Sequence, residues 1–346
     1  MDSNLPFKTE RQNDLVVQQI LKKKARKMKD RLHLIEPIRK NGLPISKNTL
    51  CLLIGQVGQG KTYLAENILL PIINIDYPYT DIIQVSKSGG LDKTSNLSRN
   101  FSQCRLYGAT PYQLESLMAS IRADEVIDEY LDKLHQKFQE KGSRTEKNPF
   151  IGIDLIFPND PFKLYGEFPL IAQAIDNYKQ SLINEISTFL NNMETYEHPT
   201  LVAFVILTQH IVRRRLEGKG RPRHTGVVID DYSNDAALTR KTHPVTNLIL
   251  RRRHFKTEFF ICVQSYTSLN KDLRRNANDF IIFPNQMETD IEMFWKEMIG
   301  KNKLLFFQIY HEATKQSRPR NSRFLAIFQN GGRKQIRMGL EDIVLF

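Results

Sequence analysis

Cysteine is scarce and scattered in this 346-residue chain, which has only Cys51, Cys104 and Cys262. They form no C-x-x-C pair and no zinc spacing, so neither a disulfide framework nor a cysteine-ligated metal organises the fold. Two of them, Cys51 and Cys262, sit inside apolar runs, as buried thiols do, and a reducing, intracellular setting is expected. Long apolar runs are also missing. No stretch approaches the roughly 20 residues that span a bilayer, so no membrane span is expected. The opening "MDSNLPFKTERQND" is polar and has no apolar h-region, so no secretory leader is expected either. Acidic residues are in deficit: 38 Asp+Glu stand against 50 Lys+Arg, for a net charge of +12. Such an excess favours polyanionic partners, nucleic acid before an anionic membrane, although a generally basic surface would look the same. Hydrophobic residues make up 40% of the chain, enough for a real core in one large α/β domain or two small ones.

Residues 1–48 read as a basic arm carrying one helix, with Val16, Val17, Ile20 and Leu21 followed by a basic run from Lys22 to Arg31. "TLCLLIG" (Thr49–Gly55), "TDIIQVS" (Thr80–Ser86) and "QCRLYG" read as short buried strands, and Thr62–Leu70 as a helix stopped or kinked at Pro71. A turn is expected at Gly89-Gly90. From about residue 111 to 224 the pattern is that of a mainly helical insertion, broken by a loop at Lys141–Gly166. "GVVIDD", Phe259–Gln264 and "DFIIF" read as further strands, and "RFLAIF", "QNGG" and "KQIRMG" as a closing β-hairpin. Strands alternating with helices predict an α/β fold with a mostly parallel central sheet covered on both faces. Residues 49–346 are then expected to form one domain interrupted by the insertion.

"GQVGQGKT", Gly55–Thr62, matches G-x-x-x-x-G-K-[ST]. Gly55, Gly58 and Gly60 let the backbone curl so that several N–H groups face one anion. The following helix adds its positive N-terminal end. Lys61 is placed to reach the β- and γ-phosphates of ATP, and Thr62 offers a hydroxyl to Mg²⁺. Gln56, Val57, Gln59 and Tyr63 complete the expected nucleotide cradle. A mere glycine-rich turn would leave the Lys-Thr pair unexplained.

Asp230 and Asp231 close the strand "GVVID", at the strand end where parallel sheets bind ligands. Asp230 is the expected Mg²⁺ partner, and Asp231 the group that polarises an attacking water. Two adjacent carboxylates are also ordinary at a turn or a helix cap. Gln264 raises a separate question, because an amide at the end of a buried strand needs hydrogen-bond partners. If its strand lay between the strands of Gly55 and Asp230, Gln264 would sit beside the γ-phosphate and the water. A polar strand exit bonded to a loop is the plain alternative.

Taken together, "GQVGQGKT", "VVIDD", "RRRHFKTEFFICVQSY" and "LRRNANDFIIF" resemble, in order and style, viral genome-packaging ATPases of the poxvirus and large DNA virus type. These belong to the FtsK–HerA superfamily of P-loop translocases. The resemblance covers about Leu50–Ser86 and Thr225–Phe283. It implies a RecA-like core and a homo-oligomeric ring around double-stranded DNA, with ATP sites between subunits. A capsid or portal-vertex partner and location in a virus factory of the host cytoplasm or in the virion are implied too. A neighbouring subunit's arginine would enter each site. Arg253 and Arg274 are the candidates, with Arg251, Arg252 and Arg275 close by. The chain departs from much of the superfamily in having aspartate, not glutamate, at 231, and in the long segment between Ser86 and Thr225.

A translocase grips phosphates without reading sequence. The expected contacts are Arg213, Arg214, Arg215, Lys219, Arg221 and Arg223 in "RRRLEGKGRPR", read as a basic loop, and then the Lys22–Arg31 run. Two other functions compete. One is a nucleotide or small-molecule kinase whose lid is this basic loop. The other is a non-catalytic DNA-binding protein with a relic P-loop.

Overall fold

The computed structural model describes residues 45, 47–86, 96–140, 150–192, 199–216, 224–230, 235–330, 333–340 and 342–344. The basic arm with its Lys22–Arg31 run, the Gly89-Gly90 turn, the glycines of "QNGG", Asp231, Lys219, Arg221 and Arg223 lie outside the described residues. The chain divides into two compact units, Met1–Tyr112 with His224–Phe346, and Gln113–Arg223.

The first unit contains a nine-stranded sheet: β1 (Leu50–Ile54), β2 (Asp81–Val85), β3 (Arg105–Ala109), β4 (Thr225–Asp230), β5 (Thr257–Val263), β6 (Asp279–Ile282), β7 (Leu325–Asn330), β8 (Arg333–Met338) and β9 (Asp342–Val344). Its order is β3-β2-β4-β5-β1-β6-β7-β8-β9. The first six strands are parallel and the last three run antiparallel as a meander. The expected hairpin is β7–β8, and β9 adds a short third strand. Each central strand is buried on both faces, which explains why their middles are apolar without alternation, with polar residues mainly at the strand starts.

Helices of this unit are α1, running through Lys61–Leu64, a π-helical stretch Ala65–Leu69 and Leu70–Asp76, and then α2 (Leu97–Asn100). The second unit consists of α3 (Pro111–Glu140, entering from the first), α4 (Phe150–Ile156), α5 (Pro161–Leu164), α6 (Pro169–Asn191) and α7 (Pro199–Leu216). The first unit resumes with α8 (Ala236–Thr239), α9 (Pro244–Leu250), α10 (Lys271–Asn276), α11 (Glu288–Phe294) and α12 (Lys303–Thr314).

Two sequence expectations are corrected here. Helix α1 does not stop at Pro71 but continues to Asp76. The wider π turn, in which the Leu70 N–H donates to the Ala65 carbonyl, relaxes the ladder just where proline lacks a donor and crowds the preceding turn. Part of the expected loop at 141–166 is helical, since α4 and α5 lie within it; Asp160 caps α5 by accepting from the Lys163 N–H at 3.0 Å.

Helix α1 packs Leu64, Ala65, Leu69, Leu70 and Ile73 against Cys51, Leu53, Val228, Phe260 and Cys262 of the sheet. On the opposite face an aromatic cluster forms around Phe294, whose ring meets Phe280 at 5.0 Å and Tyr266 at 5.2 Å. Each such side chain contributes roughly 1.5–3 kcal/mol on burial.

The sheet edge where the parallel strands begin is unusually polar for a buried surface. Asp279 is fully buried; it accepts from the Thr49 hydroxyl and from the Gln329 N–H at 3.3 Å. Burial pushes its carboxyl up from about 3.8 to about 7. The folded chain therefore keeps a proton that the unfolded chain has already lost, and stability from this group declines as pH rises from about 4 to about 7. Asp279→Asn should flatten this decline. Urea midpoints at pH 5 and pH 7.5 are expected to differ less in the variant than in the parent, by on the order of 1–4 kcal/mol of stability.

Candidate functional site

The site is built where parallel strands end together. Register pairs Ile54 of β1 with Val263 of β5, and Cys262 of β5 with Asp230 of β4. The Gly55 N–H donates to the Val263 carbonyl at 2.9 Å. Gln264, the next residue, thus leaves the sheet between the start of the glycine loop and Asp230. This is the strand order on which a role for Gln264 depended. Its side chain is exposed rather than sealed in the core.

The loop from Gly55 to Gly60 has the shape its glycines permit. Gly58 and Gly60 have φ of 79° and 92°, in the left-handed region that other residues rarely adopt. Gly55 is required for a different reason: a Cβ there would lie 2.5 Å from Gln59 Oε1 and 2.8 Å from the Phe283 Cβ. The loop is also braced by amides. Gln59 Oε1 accepts from the Gln56 N–H at 2.9 Å, and Gln59 Nε2 donates to the Pro284 carbonyl at 2.8 Å. Gln56 Nε2 donates to the Asn285 carbonyl at 3.2 Å. Val57 and Tyr63 are exposed beside it.

Lys61 is buried, and its ammonium donates to the carbonyls of Gly55 at 2.8 Å and Gln56 at 3.0 Å. The ammonium is folded back over the loop that would receive an anion. The Thr62 hydroxyl donates to Asp230 Oδ2. A hydroxyl and a carboxylate in direct contact are a hard-oxygen pair of the kind that suits Mg²⁺, an ion that keeps most of its waters and needs few protein ligands. Among the described residues no group of three or more His, Cys, Asp or Glu could hold a metal by itself. One hydroxyl and one carboxylate, with the remaining positions left to water and phosphate oxygens, fit such an ion.

Two residues beside this pair were not placed at the site by sequence reasoning. Glu66, four residues past Thr62 and so on the same helical face, is buried; it accepts from Gln84 Nε2 at 3.4 Å and from the Asn96 N–H at 3.1 Å. Cys262 lies under Thr62 and Asp230, where burial and then the Asp230 carboxylate push its thiol well up, leaving it un-ionised. The spacing Thr62–Glu66 was the available signal for the first. Only strand register reveals the second.

The arginines divide sharply. Arg274 is a correction: it is buried, and its guanidinium grips Glu297 through Nε at 3.0 Å and Nη2 at 2.9 Å while donating to the Leu269 carbonyl at 2.8 Å. Its donors are thus held by acceptors of its own chain. Arg252 is likewise buried, bonded to the carbonyls of Asn48 at 2.8 Å and Asn276 at 3.0 Å. Arg253 and Arg275 are exposed. Arg253 lies in the turn before β5, at the sheet edge opposite the glycine loop.

In the helical unit, Arg213–Arg215 are not loop but the last turn of α7. Arg214 is a second correction. It is buried, pairs with Asp128, and donates to the carbonyl and Oδ1 of Asp124 at 2.9 and 3.1 Å. Two aspartates neutralise it, so it offers nothing to a phosphate. Arg213 and Arg215 on either side are exposed, and Arg215 makes a 3.3 Å contact with Asp132.

No family model and no curated protein matches the chain. The chain is similar to several solved structures at low identity, each with a TM-score below 0.5. The genome packaging NTPase B204 from Sulfolobus turreted icosahedral virus 2, in complex with ATPγS, is 13% identical over 85% of this chain and 96% of its own, with a TM-score of 0.38. B204 from Sulfolobus turreted icosahedral virus, a DNA-packaging ATPase, is 13% identical over 84% and 98%, with a TM-score of 0.37. VirB4 of Thermoanaerobacter pseudethanolicus is 15% identical over 83% and 87%, with a TM-score of 0.30. Among the described residues no helix is long and apolar enough to cross a membrane.

Two substitutions check this geometry. Gly60→Ala forces a side chain into the left-handed region, at a cost of about 1–2 kcal/mol; nucleotide affinity by calorimetry should drop while the circular dichroism spectrum stays that of the parent. Arg214→Ala removes a buried partner of Asp124 and Asp128 in the helical unit and should lower its stability by about 1–3 kcal/mol, read as an earlier denaturant midpoint.

Proposed function

We propose that this chain is an ATPase that drives double-stranded DNA through a homo-oligomeric ring to fill a viral capsid. One observation carries the reading: strands β4, β5 and β1 are adjacent and parallel, so Asp230, Gln264 and the glycine loop with Lys61 and Thr62 meet at one sheet edge. A kinase needs the loop but gives no reason for a strand-end amide between it and a carboxylate. The motif resemblance supports the packaging role and the partners: DNA, further copies of the chain, and a capsid or portal-vertex protein. It equally supports a place in the virus factory or the virion.

The loop N–H groups and Lys61 receive the β- and γ-phosphates of ATP. As the anion arrives, the Lys61 ammonium exchanges two neutral carbonyls for charged oxygens, a stronger interaction. Thr62 and Asp230 would hold Mg²⁺, which when bound neutralises phosphate charge. Asp231 orients the attacking water and draws its proton. Gln264 touches both the γ-phosphate and that water, and so passes the state of the nucleotide into β5. Of the two arginines first considered for the neighbouring site, Arg253 is the one whose guanidinium is exposed. DNA phosphates meet Arg213 and Arg215 and the basic stretch that follows them, with Lys219, Arg221 and Arg223.

ATP turnover with and without long duplex DNA tests the reading. A translocase is stimulated by DNA of any sequence. Lys61→Ala abolishes turnover, and Asp231→Asn lowers it about 10²–10⁴-fold. Gln264→Ala keeps ATP binding and loses the stimulation. A phosphorylated small product made regardless of DNA would establish the kinase instead. Salt-sensitive DNA binding without turnover would establish the relic.

A further inference from the structure

The segment R-P-R-N-S-R, Arg318–Arg323, lies between α12 and β7 and carries arginines with two different duties. Two of them brace the segment itself. Arg318 Nη2 donates to the Met338 carbonyl at 3.1 Å, and Arg323 Nη2 donates to the carbonyls of Gln316 at 2.7 Å and Arg318 at 3.0 Å. A short 3-10 turn, Arg320–Ser322, is closed by the Ser322 N–H on the Pro319 carbonyl at 3.0 Å. Pro319 stiffens the approach to it. Arg320 alone turns away from this platform. It is exposed, and its Nη2 donates to the Gly58 carbonyl at 3.0 Å, across 262 positions of sequence.

We propose that Arg320 is a phosphate-contacting residue of the nucleotide site in its own subunit, binding the polyphosphate chain from the outer side of the glycine loop. The inference rests on the P-loop reading above. Three observations support it. Gly58 belongs to the exposed crest of the loop, next to Val57, which is 77% exposed, so a guanidinium on its carbonyl stands at the rim of the anion cradle. The Gly58 bond is the one hydrogen bond that Arg320 makes among the described residues, so most of its five donors remain available. The acceptor it holds is a neutral carbonyl, which a phosphate oxygen outcompetes because charge-assisted bonds are about twice as strong. The side chain thus stands as Lys61 does, parked on loop carbonyls and able to transfer to the anion. Arg253, by contrast, lies at the opposite sheet edge, and Arg274 is already occupied by Glu297.

The test is equilibrium binding of a non-hydrolysable ATP analogue, ADP and AMP to the full chain, to Arg320→Ala and to Arg320→Lys, with Lys61→Ala alongside. Arg320→Ala should weaken the triphosphate about tenfold or more, the diphosphate less and the monophosphate little. Arg320→Lys should recover part of the triphosphate affinity by restoring the charge. A loss shared equally by all three nucleotides would mean that Arg320 only braces the loop, and would overturn the proposal. So would triphosphate affinity unchanged in Arg320→Ala while Lys61→Ala destroys it. A parent protein that binds none of the three overturns the P-loop reading itself, and this one with it. Arg320 is exposed, so its variants should melt with the parent when no nucleotide is present.

Discussion

The Gly55 N–H reaches the Val263 carbonyl at 2.9 Å, and most of the site's geometry descends from that bond and the parallel ladder behind it. A shift of β5 by one residue against β1 would turn every side chain of β5 to the other face of the sheet. Cys262 would leave the α1 face and Gln264 would leave the edge. Both faces of the sheet are apolar, so burial favours pairing without choosing one register over another. Whatever fixes the register therefore also determines where three polar groups arrive.

The opposite edge shows what keeps the strands from slipping. It carries a row of buried charged and polar groups bonded across strand starts: Thr49 with Asp279, Arg252 with the Asn48 carbonyl and Asn278, and Glu258 with the Asn48 N–H and His224. His224 also stacks on Tyr79 with ring centres 4.6 Å apart. Each of these groups is costly to strand without its partner, so mispaired registers are penalised far more than the native one is stabilised. Polar specificity at one end of the sheet secures the position of polar chemistry at the other.

Helix α1 joins the two concerns. Its first turn carries Lys61 and Thr62; its π turn places buried Glu66 against Gln84 of β2. A π turn departs from the regular ladder, and such departures are frequent at functional sites. Here it lets the helix pass Pro71 and continue as one body, so the loop is carried on sixteen residues of packed helix, Lys61–Asp76, rather than on a single short turn.

Much of this protein was legible from its residues in order. The glycine loop could be read because Gly55, Gly58, Gly60, Lys61 and Thr62 are contiguous, and their chemistry is complete within eight positions. The central strands could be read because a strand buried on both faces is apolar through its middle. Gln264 could be placed at the end of such a strand, but its side chain is exposed, so burial is not what demands partners for it. What only the tertiary structure decided concerns long side chains and distant partners. Arg214, Arg252 and Arg274 are spelled like surface charges, yet each is buried on acceptors far along the chain, among them Asp128, Asn48 and Glu297. Arg320 looks like one more basic residue and instead meets Gly58. An arginine reaches several ångströms on a flexible stem, and its role is set by the acceptors around its tip, which local sequence does not encode. Contiguous backbone chemistry is written in sequence; the partners of a guanidinium exist only once the strands have been ordered.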